Sequence, residues 1–185
     1  MFLLQRLRYW SNRQSAYSGV VTTADADVDL VLDFLNTVDV EDGTDLLEDP
    51  AGWRAWLMTR GLTETGPSAE STATSIAAVR TALRAMAGEP GTDPGAGRPS
   101  ARITVSLDAD GPRLVADDAA GAVLAAASRL AVLGDWDRIK ICPADACRWA
   151  FFDRSRNHSR TWCSMRVCGN REKARAWRER TRANG

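Results

Sequence analysis

Four cysteines are the residues whose type and spacing most directly specify chemistry: Cys142, Cys147, Cys163 and Cys168. They fall as two pairs with one repeated spacing, C-x4-C, then fifteen residues, then C-x4-C again. Thiolates this close in sequence can fold into a knuckle that offers two sulfurs to one ion, and two knuckles complete a tetrahedral shell. That closed four-sulfur shell is the form structural zinc takes, so one structural Zn2+ is the expected cofactor. Two disulfides, an iron–sulfur cluster or redox-active thiols would draw on the same residues. The compartment bears on the choice. The start MFLLQRLRYW breaks its apolar run at Gln5 and Arg6, unlike a secretory signal, and no stretch reaches the roughly 18 apolar residues of a membrane span. A cytoplasmic, reducing location is therefore expected, with no membrane partner, and there paired cysteines favour metal. His158, the only histidine, is expected on a surface loop, because four thiolates already fill the shell. No nucleophile–base pair and no open metal position are evident, so an enzyme is not expected.

Arginine surrounds the cysteines. Arg148, Arg154, Arg156, Arg160 and Arg166 lie among them, with Trp149 and Trp162 interleaved. From Gly169 the chain reads as a helix on which Arg171, Arg175, Arg178 and Arg182 recur at helical spacing as one basic stripe. Ala174 and Trp177 face another way and are expected to pack on the metal core. A helix amino terminus beside Cys168 would favour its thiolate. The net charge of zero hides an asymmetry: residues 135–185 carry 13 − 6 = +7 and residues 1–134 carry 11 − 18 = −7. An acidic body with a basic interaction module follows. Guanidinium groups suit phosphate, and a helix presenting them fits the DNA major groove. Double-stranded DNA is the expected partner, with Arg154, Arg156, Arg160, Arg166, Asn170, Arg171, Arg175 and Arg178 as candidate contacts. Arg171 and Arg175 come first, because they leave the metal centre on the first turns of the helix. Asn170 could cap that helix as readily as touch a base. The rival reading is a zinc-stabilised protein-interaction module, or a basic face docked on the chain's own acidic body or on a dimer partner.

These residues need a scaffold, and the fold class expected is α+β. Residues 1–27 read as a leader, with Phe2, Leu3, Leu7 and Trp10 able to line a short helix. A mainly helical domain is expected over 28–134 and a small metal-bound domain over 135–185. VDLVLDFLNTVDV from Val28 makes a buried helix, with Leu32, Phe34, Leu35 and Val38 inward and Asp33 and Asn36 as polar interruptions that must find partners. DLLEDPAGWRAWLMTRGL is a second helix, capped by Asp49, started by Pro50 and stopped at Gly61. Its Trp53 and Trp56 point to the core. With Asn36, they are also the candidates for contact with a small-molecule effector. A third helix spans 69–87, with Ile76, Val79, Leu83 and Met86 on one face and Arg80 and Arg84 beside it. After a Gly/Pro-rich loop over 88–100, Ile103, Val105 and Leu107 alternate into a turn at Asp108 to Pro112, and Leu114 and Val115 return as a small β-hairpin. Residues 119–133 form an Ala-rich helix with Val123, Leu124, Ala127 and Leu130 inward. Ile139 and Ile141, then Trp149 to Phe152, read as short strands around the first knuckle. The order of knuckle, hairpin, knuckle and helix is similar to a treble-clef or zinc-ribbon plan.

Cys168, Gly169, Asn170 and Arg171 spell CGNR, and with SRN at Ser155–Asn157 and WCSM at Trp162–Met165 the segment resembles the CGNR zinc-finger family. LDFLNT at Leu32–Thr37, DLLEDPAGWRAWL and the DADG hairpin are similar to the ABATE domain, a stress-induced transcription regulator domain. The resemblance implies a bacterial transcription regulator that binds zinc through the four cysteines and DNA through the CGNR module. The upstream domain would then sense a ligand or stress signal, or dimerise. A homodimer is expected from how such regulators read two half-sites.

Overall fold

A computed structural model describes residues 23–62, 72–93, 95, 98–109, 111–116 and 118–183 of the 185-residue chain. Helix α1 (Thr23–Leu35) leads into the two-residue strands β1 (Val38–Asp39) and β2 (Thr44–Asp45). Helices α2 (Pro50–Thr59) and α3 (Thr72–Met86) follow, then the hairpin β3 (Thr104–Asp108) and β4 (Gly111–Val115). Helix α4 (Ala119–Leu133), the hairpin β5 (Ile139–Ile141) and β6 (Ala150–Phe152), and helix α5 (Asn170–Ala183) complete the order. Each strand pair is antiparallel and forms its own two-stranded sheet, so the fold is α+β with helices doing most of the burying. Among the described residues no helix is long and apolar enough to cross a membrane.

Val28, Val31, Leu32, Phe34 and Leu35 are all buried, a stripe wide enough that α1 must be covered on more than one side. Alanine-rich α4 supplies the close neighbour. Its Ala119, Ala120, Ala126 and Ala127 let the two backbones approach, while Val123 and Leu130 fill the gaps. Asp118 caps α4 by accepting from Gly121 N at 2.7 Å, and Gly134 ends it in the left-handed conformation that a side chain would strain. On α2, Asp49 accepts from Ala51 N, Pro50 takes the first position, and Trp53 stacks on Trp56 at 4.9 Å inside the core.

Several expectations are corrected. Helix α1 begins at Thr23, upstream of Val28, because Asp27 is buried and paired to Arg129 of α4 through two hydrogen bonds. It ends at Leu35 and does not run through Val38: Thr37 Oγ1 donates to Phe34 O, and Leu46 N to Thr37 O, which turns the chain into β1. Met86 is exposed at the end of α3, while Arg80 and Arg84, expected beside the apolar face, are buried with partners. Arg80 donates to Thr37 Oγ1 and bridges Asp45. The expected short helix with Phe2, Leu3, Leu7 and Trp10, residues 69–71 of the third helix and part of the 88–100 loop lie outside the described residues.

Packing does not pause where the charge reverses. Ile139, Ile141 and Ala150 of the β5–β6 hairpin share one hydrophobic cluster with Phe34, Val123 and Leu130. Two further ties reach the same hairpin. Asn36 donates to Ala150 O at 3.0 Å and accepts from Ala150 N at 2.7 Å, the pairing a neighbouring strand would make. Ile141 N donates to Ala87 O at 3.0 Å.

Candidate metal centre

The β5–β6 hairpin carries the first knuckle at its tip. Cys142 N donates to Trp149 O at 2.9 Å, and Cys147 N donates to Ala144 O at 2.9 Å, which curls the segment so that both thiols face one point. Closing the knuckle forces Arg148 into a left-handed conformation (φ 52), unusual for a side chain this large. Arg84 holds it there by donating to Arg148 O at 2.7 Å, and Arg148 itself donates to Asp145 at 2.5 Å.

The second knuckle is set by a loop built on Asp153, a residue given no role in the sequence reading. Its side chain is fully buried (0% exposed) at the end of β6. Oδ1 accepts from Ser155 N at 2.9 Å, and Oδ2 accepts from Arg160 N at 2.9 Å and Lys140 Nζ at 2.7 Å. Burial by itself would raise this carboxyl; the hydrogen bonds outweigh it and hold the group well below the usual carboxylate range. Lys140 also donates to His158 O at 2.5 Å, which fixes the exposed turn where His158 sits. Arg160, itself exposed, lies along the loop and gives hydrogen bonds to Trp162 O at 2.8 Å and to Cys163 O, with its guanidinium 5.0 Å from the Phe151 ring. Because the folded carboxyl lies below its unfolded value, its contribution is complete above about pH 4 and is lost as pH falls below that. Asp153→Asn should cost about 1.5–3 kcal/mol at neutral pH. The difference in melting temperature between wild type and variant should shrink below about pH 4. A difference that stays constant to lower pH would contradict this.

The expected helix start is also corrected. Met165–Gly169 is a single π-helical turn that runs directly into α5, so the helical run opens at Met165 and not after Cys168. Ser164 caps it, Oγ accepting from Val167 N at 3.3 Å, so the exposed amides lie next to Cys163. Cys168 sits inside the wide turn, which swings its sulfur toward the other three. Gly169 keeps the turn tight: a Cβ would come within 2.5 Å of Met165 Sδ and 3.1 Å of the Trp162 ring, so the flexible Met165 side chain would have to move aside.

All four sulfurs lie within 4.8 Å of one another, with Cys147 to Cys163 at 3.5 Å and Cys163 to Cys168 at 3.6 Å. A tetrahedral shell with bonds of about 2.3 Å has edges of about 3.8 Å, so the cage matches zinc in donor type, number and size. As bare thiols the group is in conflict. Hydrogen bonds from Cys147 and Cys163 pull Cys142 down to about 2 as the favoured thiolate, and sharing with Cys142 pushes Cys147 up to about 12 and raises Cys163 as well. A divalent cation removes that conflict by letting every sulfur ionise. No disulfide joins these cysteines. The site holds one structural zinc, closed by four thiolates around Ala144, Phe151, Trp149 and Trp162.

A helical body with a four-sulfur cage built onto its last hairpin defines a zinc-module protein. Family models place it further. Residues 28–139 match ABATE, whose description is "Putative stress-induced transcription regulator", and residues 138–181 match the CGNR zinc finger. The chain belongs to the ABATE family and carries a CGNR zinc finger after it. No curated protein matches the chain.

The other named residues fall in three places. Arg156, Arg166 and Arg178 are exposed, and Arg154 is exposed with its guanidinium 5.3 Å from the Phe152 ring and 3.7 Å from Asp25. On α5, Arg175 pairs with Glu172 and Glu179, and Arg171 reaches Glu41 of the acidic body at 3.3 Å. Asn170 donates to Arg166 O at 3.2 Å and continues the helix without capping it. Ala174 and Trp177, expected on the metal core, are exposed, Trp177 at 62%. Helix α5 buries no residue, and it leaves the module as an extension of the π turn. Asn36 is taken up by Ala150, and Trp53 and Trp56 by each other and by Arg60, whose guanidinium lies 4.2 Å from the Trp56 ring.

Proposed function

We propose that this protein is a one-component cytoplasmic transcription regulator, not an enzyme, that docks on double-stranded DNA through α5 and the knuckle arginines. One observation carries the reading. The zinc cage anchors a fourteen-residue helix that buries nothing, and Arg171, Arg175, Arg178 and Arg182 run along it exposed. A helix with no packing role and a row of guanidinium groups is suited to phosphate and to a groove about 12 Å wide. Arg154, Arg156 and Arg166 add positive charge, and Asn170 stands at the base of the helix. Arg160 contributes by shaping the second knuckle. The acidic body would receive the effector or stress signal, with Asn36, Trp53 and Trp56 as its candidate contacts. The family description and the CGNR match support the reading.

Binding of zinc-loaded protein to a labelled duplex pool should weaken steeply with salt, each phosphate contact adding about 0.9 to the log–log slope. Replacing Arg178 and Arg182 together by Gln should lower that slope by up to about 1.8. Absence of binding to any duplex at low salt would end the proposal. The rival, a zinc-stabilised protein-interaction module, is favoured by the exposed Trp177, Met165 and Val167 on the same module. It predicts no salt-dependent duplex binding.

A further inference from the structure

The β3–β4 hairpin stands out from the core. All of its strand residues but Gly111 are exposed, Leu107 and Val105 at 79% and 64% and Leu114 and Val115 at 40% and 41%. The register sets Val105 opposite Leu114 and Leu107 opposite Pro112, so four apolar side chains share one face. Thr104, Ser106, Asp108 and Arg113 share the other with Val115. A lone two-stranded hairpin is marginal in water and gains its stability from further strands or a cover.

Its two edges are not alike. A proline in a paired strand sits where its missing N–H would point away from the neighbour, so Pro112 lies on the outer edge of β4. Alternation then turns the N–H and C=O groups of the facing Leu107, and of Val105, outward along the free edge of β3. On β4 that edge is interrupted by Pro112, and pairing about a twofold axis would set Arg113 against Arg113 of a second copy. On β3 it is continuous through Thr104, Val105, Ser106 and Leu107, with no proline and no basic residue. Edge strands are normally blunted by proline or charge, and here one edge is blunted while the other meets no further strand among the described residues.

We infer that β3 is a dimerisation edge whose occupant is β3 of a second copy of this chain. Antiparallel pairing about a twofold axis through Ser106 matches each residue with a suitable partner. Val105 meets Leu107 of the second copy, Thr104 meets Asp108, and Ser106 meets itself. No like charges face each other, and the Thr104 hydroxyl can donate to the Asp108 carboxylate. The result is a four-stranded sheet with β4 outermost on both sides, its edges closed by Pro112. Val105 and Leu107 gain cross-strand neighbours on the flank now open to water. This inference is independent of nucleic-acid binding.

Sedimentation velocity on zinc-loaded, full-length protein tests it. Wild type should form a dimer that dissociates in the micromolar range, as a small interface does. Ser106→Lys places two ammonium groups on the axis and should raise the dissociation constant about fivefold or more; Ser106→Asp should do the same. An equimolar mixture of S106K and S106D should regain association as a heterodimer. Arg54→Ser, exposed on α2 away from the hairpin, should leave the constant unchanged. Ser106 is exposed and faces Arg113 within its own hairpin, so each variant is first checked for one zinc and the wild-type circular dichroism, and the regained association of the mixture separates an effect on the axis from one within the hairpin. The inference is overturned by a wild type that stays monomeric through tens of micromolar, which is also the outcome if the chain's own first residues cover this edge. An S106K protein that dimerises like wild type, or a mixture that stays monomeric, overturns it equally.

Discussion

Cys168→Ser should empty the metal site and unravel the chain from the second knuckle onward while leaving the helical body folded. The expectation follows from what holds each part. The cluster around the sulfurs contains one large buried apolar side chain, Phe151, with Cys142, Ala144, Cys147 and Cys168. Structural zinc contributes an apparent binding free energy of about 10–16 kcal/mol in small modules, far more than such a cluster can supply. Helix α5 has no buried residue to fall back on, and an isolated helix of its length is marginal in water. The β5–β6 hairpin differs, because Ile139, Ile141 and Ala150 belong to the main core. Metal analysis should fall from one equivalent to near zero. Amide exchange should speed up across 154–183 and stay slow in α1, α4 and β5. Chelation of wild type should give the same pattern. A variant that keeps a full equivalent of zinc and a protected α5 would refute the cage as the anchor.

Arg84→Met should be the most damaging substitution away from the cysteines. Arg84 is 3% exposed, and its guanidinium donates to Leu35 O at 2.7 Å, to both oxygens of Glu89 at 2.6 and 2.9 Å, and to Arg148 O at 2.7 Å. It therefore joins the end of α1, the turn after α3 and the first zinc knuckle. Methionine fills similar space but leaves Glu89 uncompensated and two carbonyls unpaired. Removing one partner of a buried pair costs about 3–5 kcal/mol, a large part of a typical stability of about 5–15 kcal/mol. The urea midpoint should drop accordingly, and zinc should leave the variant faster, because the strained Arg148 backbone loses its support. Adding Glu89→Gln should recover part of the loss. A shift below about 1 kcal/mol would mean that the pair behaves like a surface salt bridge.

What could be read from the chain beforehand was local. The C-x4-C pairs located the cage, and Asp49, Pro50 and Gly61 marked both ends of α2, because capping and knuckle chemistry act within a few residues. The alternation around Val105 gave the hairpin its strands but not its exposure, which depends on what else reaches it. Other errors have long-range causes. Arg84 looked like a flank of an apolar face, since its partners lie at Leu35, Glu89 and Arg148. Asp153 carried no local sign of burial: its donors come from Lys140 on the neighbouring strand and from a loop that forms only around it. Helical spacing turns Trp177 away from the arginine stripe and so toward the metal core, whereas the π turn at Met165–Gly169 directs the whole helix outward. That turn is visible only as backbone, and the one hint of it in sequence is Gly169, where a Cβ would press on the Met165 side chain.

Asn36 pairs with Ala150 as a strand would, across 114 residues of sequence. On a ribosome α1, with Asn36 in the turn just after it, and the helix bearing Arg84 emerge long before the first cysteine, and domains tend to fold in the order they are made. The docking edge for β6 therefore exists before β6 does. The late-emerging hairpin has a template waiting for it, and the four sulfurs converge only once it has docked. Metal capture becomes the closing step of biogenesis, and a chain that stalls in zinc shortage would wait with its body already built.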